Sequence, residues 1–184
     1  MAELTADIFV SLDGFGRGEN VGPFFGYPGP EFNAWVDGAV SEPQLLLMGR
    51  VTYEVMSAIS SPATDDASIR MNKQAKAVFS NTIAEPLIWP NTRLLGGDLG
   101  AAIGALKQSS AVPIRTIGSM ALVNGMMQLG LVDRLRILIF PLTLGADGSE
   151  PVYAGYPRAD FELVRSEVLD SRLVLLEYRP AAAG

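Results

Sequence analysis

Apolar residues recur along this chain with two different periods, and the alternation between them predicts an α/β fold. Residues 4–12 are rich in Ile, Phe and Val and loosely alternate in polarity, which predicts an opening strand that ends at the Asp13-Gly14 turn. Residues 31–40 repeat apolar side chains at helical spacing, which predicts a helix with one buried face. The same succession of strand, tight turn and helix continues along most of the chain.

The remaining elements follow from the same two periods. Further strands are predicted at residues 44–48, 76–79, 87–95 (in one or two pieces), 113–117 and 135–140, and further helices at residues 51–59, 65–75, 99–108 and 120–127. The run 135–140 is apolar on both faces, which predicts the central strand of a sheet covered on both sides. Residues 161–169 and 172–178 predict a terminal hairpin that turns at Asp170-Ser171.

About eight strands interleaved with four or five helices predict a single three-layer α/β domain over residues 1–184. Its sheet should be mostly parallel, with an antiparallel C-terminal hairpin and with helices on both faces. Residues 14–30 hold six glycines and three prolines, and we predict a loop there that can act as a lid or a substrate loop.

The composition excludes several kinds of function. No apolar run approaches the roughly 20 residues that cross a bilayer, and residues 1–7 lack the pattern of a secretory signal, so a cytoplasmic location is expected. The net charge of −6 disfavours nucleic acid as a partner. Because the chain has no cysteine and no histidine, thiolate and imidazole catalysis and the usual zinc sites are excluded. Proton chemistry must therefore use Asp, Glu, Tyr, Lys or water.

Two strand-turn-helix junctions, residues 47–52 (LMGRVT) and 116–121 (TIGSMA), are candidate anion sites. In each of them a glycine lets the backbone turn sharply and approach a ligand, and the free N–H groups of the helix start favour an anion. Together the junctions could grip a pyrophosphate from two sides. Glycine at such a turn also serves chain geometry alone, and this alternative stays open for each junction taken singly. Neither junction contains the G-x-G-x-x-G pattern, and the sequence has no P-loop.

A third candidate is the polar run at residues 80–82 (SNT), which ends a predicted strand. Three hydrogen-bonding side chains in a row, together with the bidentate reach of Arg50, can bind the phosphate on an adenosine ribose. An Asx or Ser/Thr turn is the alternative interpretation. Arg17 and Arg158 are candidates for a substrate phosphate, although isolated surface arginines are usually only solvated.

Five segments, taken in order, resemble the dihydrofolate-reductase-like family. They are SLDGF (11–15), MGRVTYE (48–54), VFSNT (78–82), IGSMALV (117–123) and LVDRLRI with PLTLG (131–145). The resemblance spans residues 4–178 and is greatest to the C-terminal reductase domain of bifunctional riboflavin-biosynthesis deaminase-reductases and its stand-alone relatives. The zinc deaminase signature needs His and Cys, so we expect no deaminase domain in this chain.

The resemblance implies an NADPH-dependent oxidoreductase that transfers a hydride, and it implies a homodimer. For the riboflavin branch it implies reduction of the ribosyl group of 5-amino-6-(5-phosphoribosylamino)uracil to a ribityl chain. It places cofactor-binding residues at both junctions and at the polar run: Gly49, Arg50, Val51, Thr52, Ser80, Asn81, Thr82, Gly118, Ser119, Met120 and Ala121.

On the substrate side, binding residues are expected at the end of the first strand, on the first helix and after the strand at 135–140: Ser11, Gly14, Phe15, Trp35 and Pro141. Asp13 and Glu31 are the candidate catalytic residues for proton transfer, with an ordered water as the alternative. Asp13 is also interpreted as a turn-former, and Trp35 as a core residue. Dihydrofolate reductases carry an acidic residue three positions before a tryptophan, whereas Phe32 occupies that position here, which disfavours dihydrofolate as the substrate.

Two other functions compete with this interpretation. One is a pteridine or other small-molecule reductase that uses the same cofactor site, and the other is a non-catalytic nucleotide-binding protein. In the enzyme interpretations the expected partner is a small-molecule substrate, without nucleic acid or membrane. The apolar fraction of 48% agrees with a homodimer that covers a hydrophobic patch.

Overall fold

The computed structural model describes residues 1–181, apart from the side chain of Val40. The strands in this part of the chain are β1 (Leu4–Ser11), β2 (Phe15–Gly18), β3 (Leu45–Gly49), β4 (Ala75–Phe79), β5 (Thr92–Leu95), β6 (Ile114–Thr116), β7 (Arg134–Phe140), β8 (Gly148–Pro151), β9 (Phe161–Leu169) and β10 (Leu173–Pro180). The helices are α1 (Pro30–Ser41), α2 (Arg50–Ser60), α3 (Asp66–Lys73), α4 (Leu99–Ser109) and α5 (Met120–Gln128), with short 3₁₀ helices at Pro23–Gly26 and Gly145–Asp147. Each of these helices is too short or too polar to cross a bilayer.

Eight strands form one sheet in the order β5-β4-β3-β6-β1-β7-β10-β9, and β2 pairs with β8 in a separate two-stranded sheet. The pairings among β5, β4, β3, β6, β1 and β7 are all parallel, whereas β10 is antiparallel to both β7 and β9. The predicted fold class is therefore confirmed. Because β6 lies between β1 and β3, the carboxyl ends of these three strands share one edge of the sheet.

Different helices cover the two faces of the sheet. Along β1, the even-numbered residues from Leu4 to Val10 are at most 1% exposed and pack in a cluster with α4 and α5. Phe9 points to the opposite face and packs in a second cluster with α1, while Tyr53 of α2 packs in a third cluster with Leu46 of β3. Each face of the parallel sheet is thus buried, as the apolar strand sequences require.

The C-terminal hairpin turns where the sequence predicts. Asp170 and Ser171 have φ angles of 51° and 55°. Positive φ at both central residues suits a tight turn whose twist matches that of the flanking strands. The outer strand β9 leaves apolar side chains exposed at Leu163, Val164 and Val168. The predicted homodimer stays a prediction, since the structure describes one chain.

Residues 87–95, predicted as one or two strands, form a strand only at Thr92–Leu95. Trp89 is 1% exposed, and its indole N–H donates to Asn72 Oδ1 at 2.7 Å. The Tyr53 hydroxyl accepts from the Ile88 N–H at 2.9 Å. These contacts with α2 and α3 hold residues 87–91 in a loop, which overrides their local strand pattern.

The strand predicted as central lies off the centre of the sheet. β7 lies between β1 and β10, and the middle positions belong to β6 and β1. Leu138 of β7 packs on the α1 side and Ile137 on the α5 side. Any internal strand covered on both faces has this apolar pattern, so the pattern alone does not specify a place in the order.

Residues 14–30, predicted as a loop, contain β2 and the first 3₁₀ helix. Phe15 of β2 lies opposite Pro151, and Gly18 lies opposite Gly148. Pairing between such distant segments leaves no local periodic signal in a strand of four residues. The predicted lid role of this segment stays a prediction.

Candidate cofactor and substrate site

The two strand-turn-helix junctions touch each other. β3 and β6 are paired neighbours, and the Gly49 N–H donates to the Gly118 carbonyl at 3.2 Å. A Cβ atom on Gly49 would lie 2.5 Å from Ser119 Oγ. A Cβ atom on Gly118, whose φ is +114°, would lie 2.7 Å from Thr52 Oγ1. Glycine at both positions therefore permits the close approach of the junctions at the carboxyl edge of the sheet.

The helices that begin at these junctions lack side-chain caps. Gly49 precedes α2 and Ser119 precedes α5, neither makes a capping hydrogen bond, and neither helix has an acidic residue in its first turn. The other three α-helices of the described chain are each capped by an aspartate. The carboxylates of Asp65 (α3) and Asp98 (α4), and that of Asp170 from the terminal hairpin (α1), accept first-turn N–H groups at 2.8–3.0 Å. An aspartate cap satisfies the N–H groups and offsets the positive end of the helix dipole. Among residues 1–181, α2 and α5 alone keep this end available for an external anion.

Arg50 is the basic residue at the start of α2. Its Nη1 contacts both carboxylate oxygens of Glu54, one turn along the helix, at 3.0 Å. The two side chains are 47% and 50% exposed. Exposed pairs of this kind contribute little to stability, so Arg50 can reorient toward a phosphate at small cost. Its predicted role stays a prediction.

The polar run at the end of β4 forms a Ser/Thr turn. Ser80 Oγ accepts from the Thr82 and Ile83 N–H groups at 3.0 and 3.1 Å. Asn81 bonds to the backbone of Gly97 in both directions, accepting at 2.6 Å and donating at 3.3 Å. The turn alternative is thus realised in this structure. Contact of the three side chains with a cofactor phosphate stays a prediction.

Asp13 joins the end of β1 to the loop that follows β7. Its carboxylate accepts from the Ser11 hydroxyl at 2.7 Å and from the Leu144 and Gly145 N–H groups at 2.7–3.1 Å. These bonds, the one from Ser11 first, lower the pKa of Asp13 from 3.8 to about 2. A carboxyl group with that pKa holds almost no proton at neutral pH, so this geometry favours the turn-forming role over proton donation.

Replacing Asp13 with asparagine is expected to destabilise the fold at neutral pH, because the neutral amide loses charge-assisted bonds to the backbone. Since the pKa is lower in the folded state, the carboxylate stabilises the fold above the unfolded-state pKa of 3.8, and that contribution is lost as the pH falls toward about 2. Thermal unfolding of both proteins across this range measures the difference. Asp160→Asn, at an exposed position, is the matched control. A difference between wild type and Asp13→Asn that persists unchanged at pH 2 would contradict the prediction.

Three other predicted substrate residues lie around this turn. Gly14 has a φ of +89°, and a Cβ there would lie 3.7 Å from the ring of Tyr153, a residue that the sequence did not single out. Phe15 packs its ring against Gly148 of β8, where an added Cβ would lie 2.5 Å away. Pro141 is exposed, and its carbonyl accepts from a tyrosine hydroxyl at 3.4 Å. Their contacts with a substrate stay predictions.

Glu31 and Trp35 of α1 make structural contacts. The Glu31 carboxylate accepts from the Asp170 N–H, which ties the start of α1 to the terminal hairpin. The Trp35 ring lies 5.1 Å from the guanidinium of Arg115 and 5.6 Å from that of Arg136. Trp35 is partly buried and packs against the cluster that holds Phe140, as its core interpretation expects, and its contact with a substrate stays a prediction. No contact of Glu31 among the described residues supports a role in proton transfer, and that role remains a prediction.

A cavity of about 370 Å³ lies between β1 and the chain that follows β2. Its lining includes Phe9, Arg17, Phe24 and Phe25. Sequence reasoning missed it because residues 14–30 have no periodic pattern. The adjacent pair Phe24-Phe25 in a segment rich in glycine and proline was the available signal, since large aromatic residues in a loop need a surface to pack against.

Comparison with known proteins agrees with the fold. The chain is 24% identical over 192 residues to the protein YyaP of Bacillus subtilis strain 168. The aligned region covers 94% of this chain and 92% of YyaP. Its structure superposes on a putative riboflavin biosynthesis protein from Shewanella sp. PV-4 with a TM-score of 0.73 and 22% identity, over 99% of this chain and 100% of that one. Acinetobacter baumannii RibD gives a TM-score of 0.70 and 14% identity, over 98% of this chain and 58% of RibD.

The two structural matches are too distant in sequence to show more than a shared fold. The model of the RibD C-terminal domain family, however, matches residues 2–175. The predicted resemblance is thereby confirmed. Because this match spans nearly the whole sequence, the chain belongs to the RibD C-terminal domain family.

Proposed function

We propose that this protein is an NADPH-dependent reductase that transfers a hydride to a small planar substrate. The observation that carries the proposal is the pair of uncapped helix starts, α2 and α5, whose junctions touch at the carboxyl edge of the parallel sheet. In open α/β sheets, ligands bind at this edge where adjacent strands lead away in opposite directions. Here β3 leads through α2 and α3 to β4 on one side, and its neighbour β6 leads through α5 to β7 on the other.

The residues at this edge suit a dinucleotide. A pyrophosphate is negatively charged and accepts N–H bonds, and an uncapped helix start offers both N–H groups and a positive dipole end. Two such starts in contact can hold the two phosphates of one pyrophosphate. The net charge of the chain is −6, so binding must rely on this local geometry rather than on a basic surface.

When bound, the reduced nicotinamide supplies the hydride, so the protein has to hold two rings in contact and exclude water. A chain without histidine or cysteine can do both. Asp13 has a pKa of about 2, so its carboxylate serves to position the turn after β1. We therefore assign the proton to water.

Measuring NADPH consumption with each compound distinguishes the candidate substrates. The family resemblance implies an aminopyrimidine ribosyl phosphate, and a pterin such as dihydrofolate is the alternative. The purified protein is first titrated with NADPH while cofactor fluorescence is followed, and NADPH consumption is then compared with each compound. Failure to bind NADPH would refute the reductase proposal. Tight binding without turnover of either compound would instead reject both substrates and leave the cofactor site standing.

Val51→Glu is expected to weaken NADPH binding about tenfold, because it places a carboxylate beside the proposed pyrophosphate. Val51 lies in the first turn of α2 and is 51% exposed. Repulsion of about 1.4 kcal/mol, in the range for partly solvated like charges, corresponds to that factor in Kd. The fold should be unharmed, because an acidic residue in the first turn favours the helix.

Val51→Gln, which has the same size as the glutamate variant without its charge, is the matched control. It should bind NADPH nearly as well as the wild type. An equal loss of affinity in both variants would show that volume, and not charge, governs binding at this position.

A further inference from the structure

The outer edge of β9 has no partner strand within residues 1–181. β9 is nine residues long, ends the order of the eight-stranded sheet and pairs with β10 on one side only. Its other side presents a row of backbone N–H and C=O groups to solvent. The opposite edge of the sheet is β5, which has only four residues. A short edge strand limits pairing with other chains, whereas a strand of nine residues is a template for such pairing.

β9 also lacks the side chains that commonly protect an exposed edge. Natural proteins often place lysine or proline on such a strand, and residues 161–169 contain neither. Leu163, Val164 and Val168 are instead 55%, 45% and 60% exposed. Large apolar side chains along a free edge favour its burial against another strand.

The sequence of β9 is close to a palindrome centred on Ser166. Residues 163–165 (LVR) precede this serine, and residues 167–169 (EVL) follow it. Equal distances from the centre thus carry either the same apolar residue or opposite charges. If two copies of β9 lie antiparallel with a two-fold axis at Ser166, identical apolar residues and unlike charges come to lie opposite each other.

The charges nearest to this axis are complementary. Arg165 and Glu167 form an ion pair within the chain, and their side chains are 55% and 37% exposed. Both lie on the same face of the sheet, because they are two positions apart on a strand. In the two-fold arrangement, Arg165 of each copy lies opposite Glu167 of the other copy. The four charges then alternate in a square, whereas like charges directly opposite would be destabilising.

The valines on either side of the charges match as well. Val164 of each copy would lie opposite Val168 of the other, and Val168 lies opposite the partly buried Val174 of β10. A valine from a second copy would therefore extend an apolar row across three strands. β9 pairs regularly with β10 over residues 165–169, and the register shifts at Val164. The proposed axis at Ser166 thus lies in the regular part of the strand.

We propose that β9 pairs with β9 of a second copy of this chain, antiparallel and about a two-fold axis at Ser166, so that the two eight-stranded sheets become one. Each copy has one such edge, so the assembly closes at two copies. Three strands, β1, β7 and β10, separate β9 from the junction after β6. The interface therefore does not depend on the proposed reductase function.

Charge reversal tests the partner and the register together. Light scattering of the wild type should give twice the mass of the chain. Arg165→Glu and Glu167→Arg each place four like charges around the axis, and each should raise the dimer dissociation constant about thirtyfold. An equimolar mixture of the two variants should dimerise again, because opposite charges then face each other. The double variant Arg165→Glu/Glu167→Arg should dimerise alone, and both recoveries would show that the variants are folded.

A single cysteine locates the axis. The chain has no cysteine of its own, so Ser166→Cys introduces one thiol per copy. The two Cα atoms at the axis would lie about 4.5–5.5 Å apart, within the range of a disulfide. This variant should cross-link to itself on oxidation. Val168→Cys is the control on the same strand, because the two copies of this residue would lie four positions apart, about 13 Å along the strand, and should not cross-link.

A wild type that stays monomeric at every concentration would overturn the proposal and leave the edge of β9 for a strand of another protein. A dimer that persists in both single charge variants would place the interface elsewhere on the surface. Equal cross-linking of the two cysteine variants would reject the axis at Ser166. Arg158→Glu reverses an exposed charge outside the strands and should dimerise like the wild type. Dissociation of this variant would show that net charge, and not the pairing of β9, governs assembly.

Discussion

Replacing Asp7 with asparagine is expected to lower the free energy of unfolding by about 3–5 kcal/mol. Asp7 lies on β1, and its side chain is 6% exposed. The carboxylate accepts from Arg115, and from Nε and Nη2 of Arg136 at 2.7 and 3.2 Å. Burial lowers the pKa of the Arg115 guanidinium while the charge of Asp7 opposes that shift, so the surroundings are costly for a positive charge. Asparagine would leave two largely buried guanidinium groups without the carboxylate that joins them.

Chemical denaturation of the variant and the wild type measures this effect. Asp37→Asn is the matched control, because Asp37 pairs with Arg70 at 3.4 Å while the side chains are 64% and 43% exposed. An exposed pair contributes about 0–1 kcal/mol. Equal small losses in both variants would show that the buried network contributes no more than a surface pair.

Gly118→Ala is expected to weaken NADPH binding by roughly ten- to a hundredfold, because the junction before α5 must move to admit a side chain. Gly118 has a φ of +114°, which L-residues rarely adopt, and an added Cβ would lie 2.7 Å from Thr52 Oγ1. Strain of about 1–3 kcal/mol is typical of a residue forced into such a conformation. If this strain is relieved by displacing the helix start, about 1.4 kcal/mol of lost contact corresponds to each tenfold rise in Kd.

Cofactor fluorescence titration measures the loss, at a temperature where thermal unfolding shows each protein to be folded. Gly104→Ala is the matched control, because Gly104 lies in α4 and an added Cβ would meet nothing within 4 Å. It should bind NADPH like the wild type. Unchanged affinity in Gly118→Ala would mean that the junctions do not form the cofactor site.

The secondary structure was predicted best where local periodicity and turn chemistry agree. The turn at Asp170-Ser171 and the helix starts after Gly49 and Gly118 fall where the sequence places them. The secondary structure was predicted wrongly where contacts with residues distant in sequence determine it. Trp89 is held in a loop by Asn72, 17 positions away, and β2 finds its partner β8 far along the chain.

The candidate site shows the same division. Glycine and free helix starts are local features, so the sequence could indicate both junctions. It could not indicate that Asp170, 139 positions from Glu31, caps α1. Nor could it show that the rings of Phe24 and Phe9 pack against each other at the cavity. This contact forms only when the chain after β2 folds back over β1.

The sequence by itself determined the kind and order of most elements of the main sheet and its helices, and the chemistry that is excluded, because these depend on residue type and on spacing within a few turns. The tertiary structure alone decided that β6 lies between β1 and β3, which brings both junctions to one edge. It also decided that Asp7 meets Arg136 across 129 positions of chain. Such contacts depend on the burial of two sheet faces at once, and no short stretch of sequence contains that information.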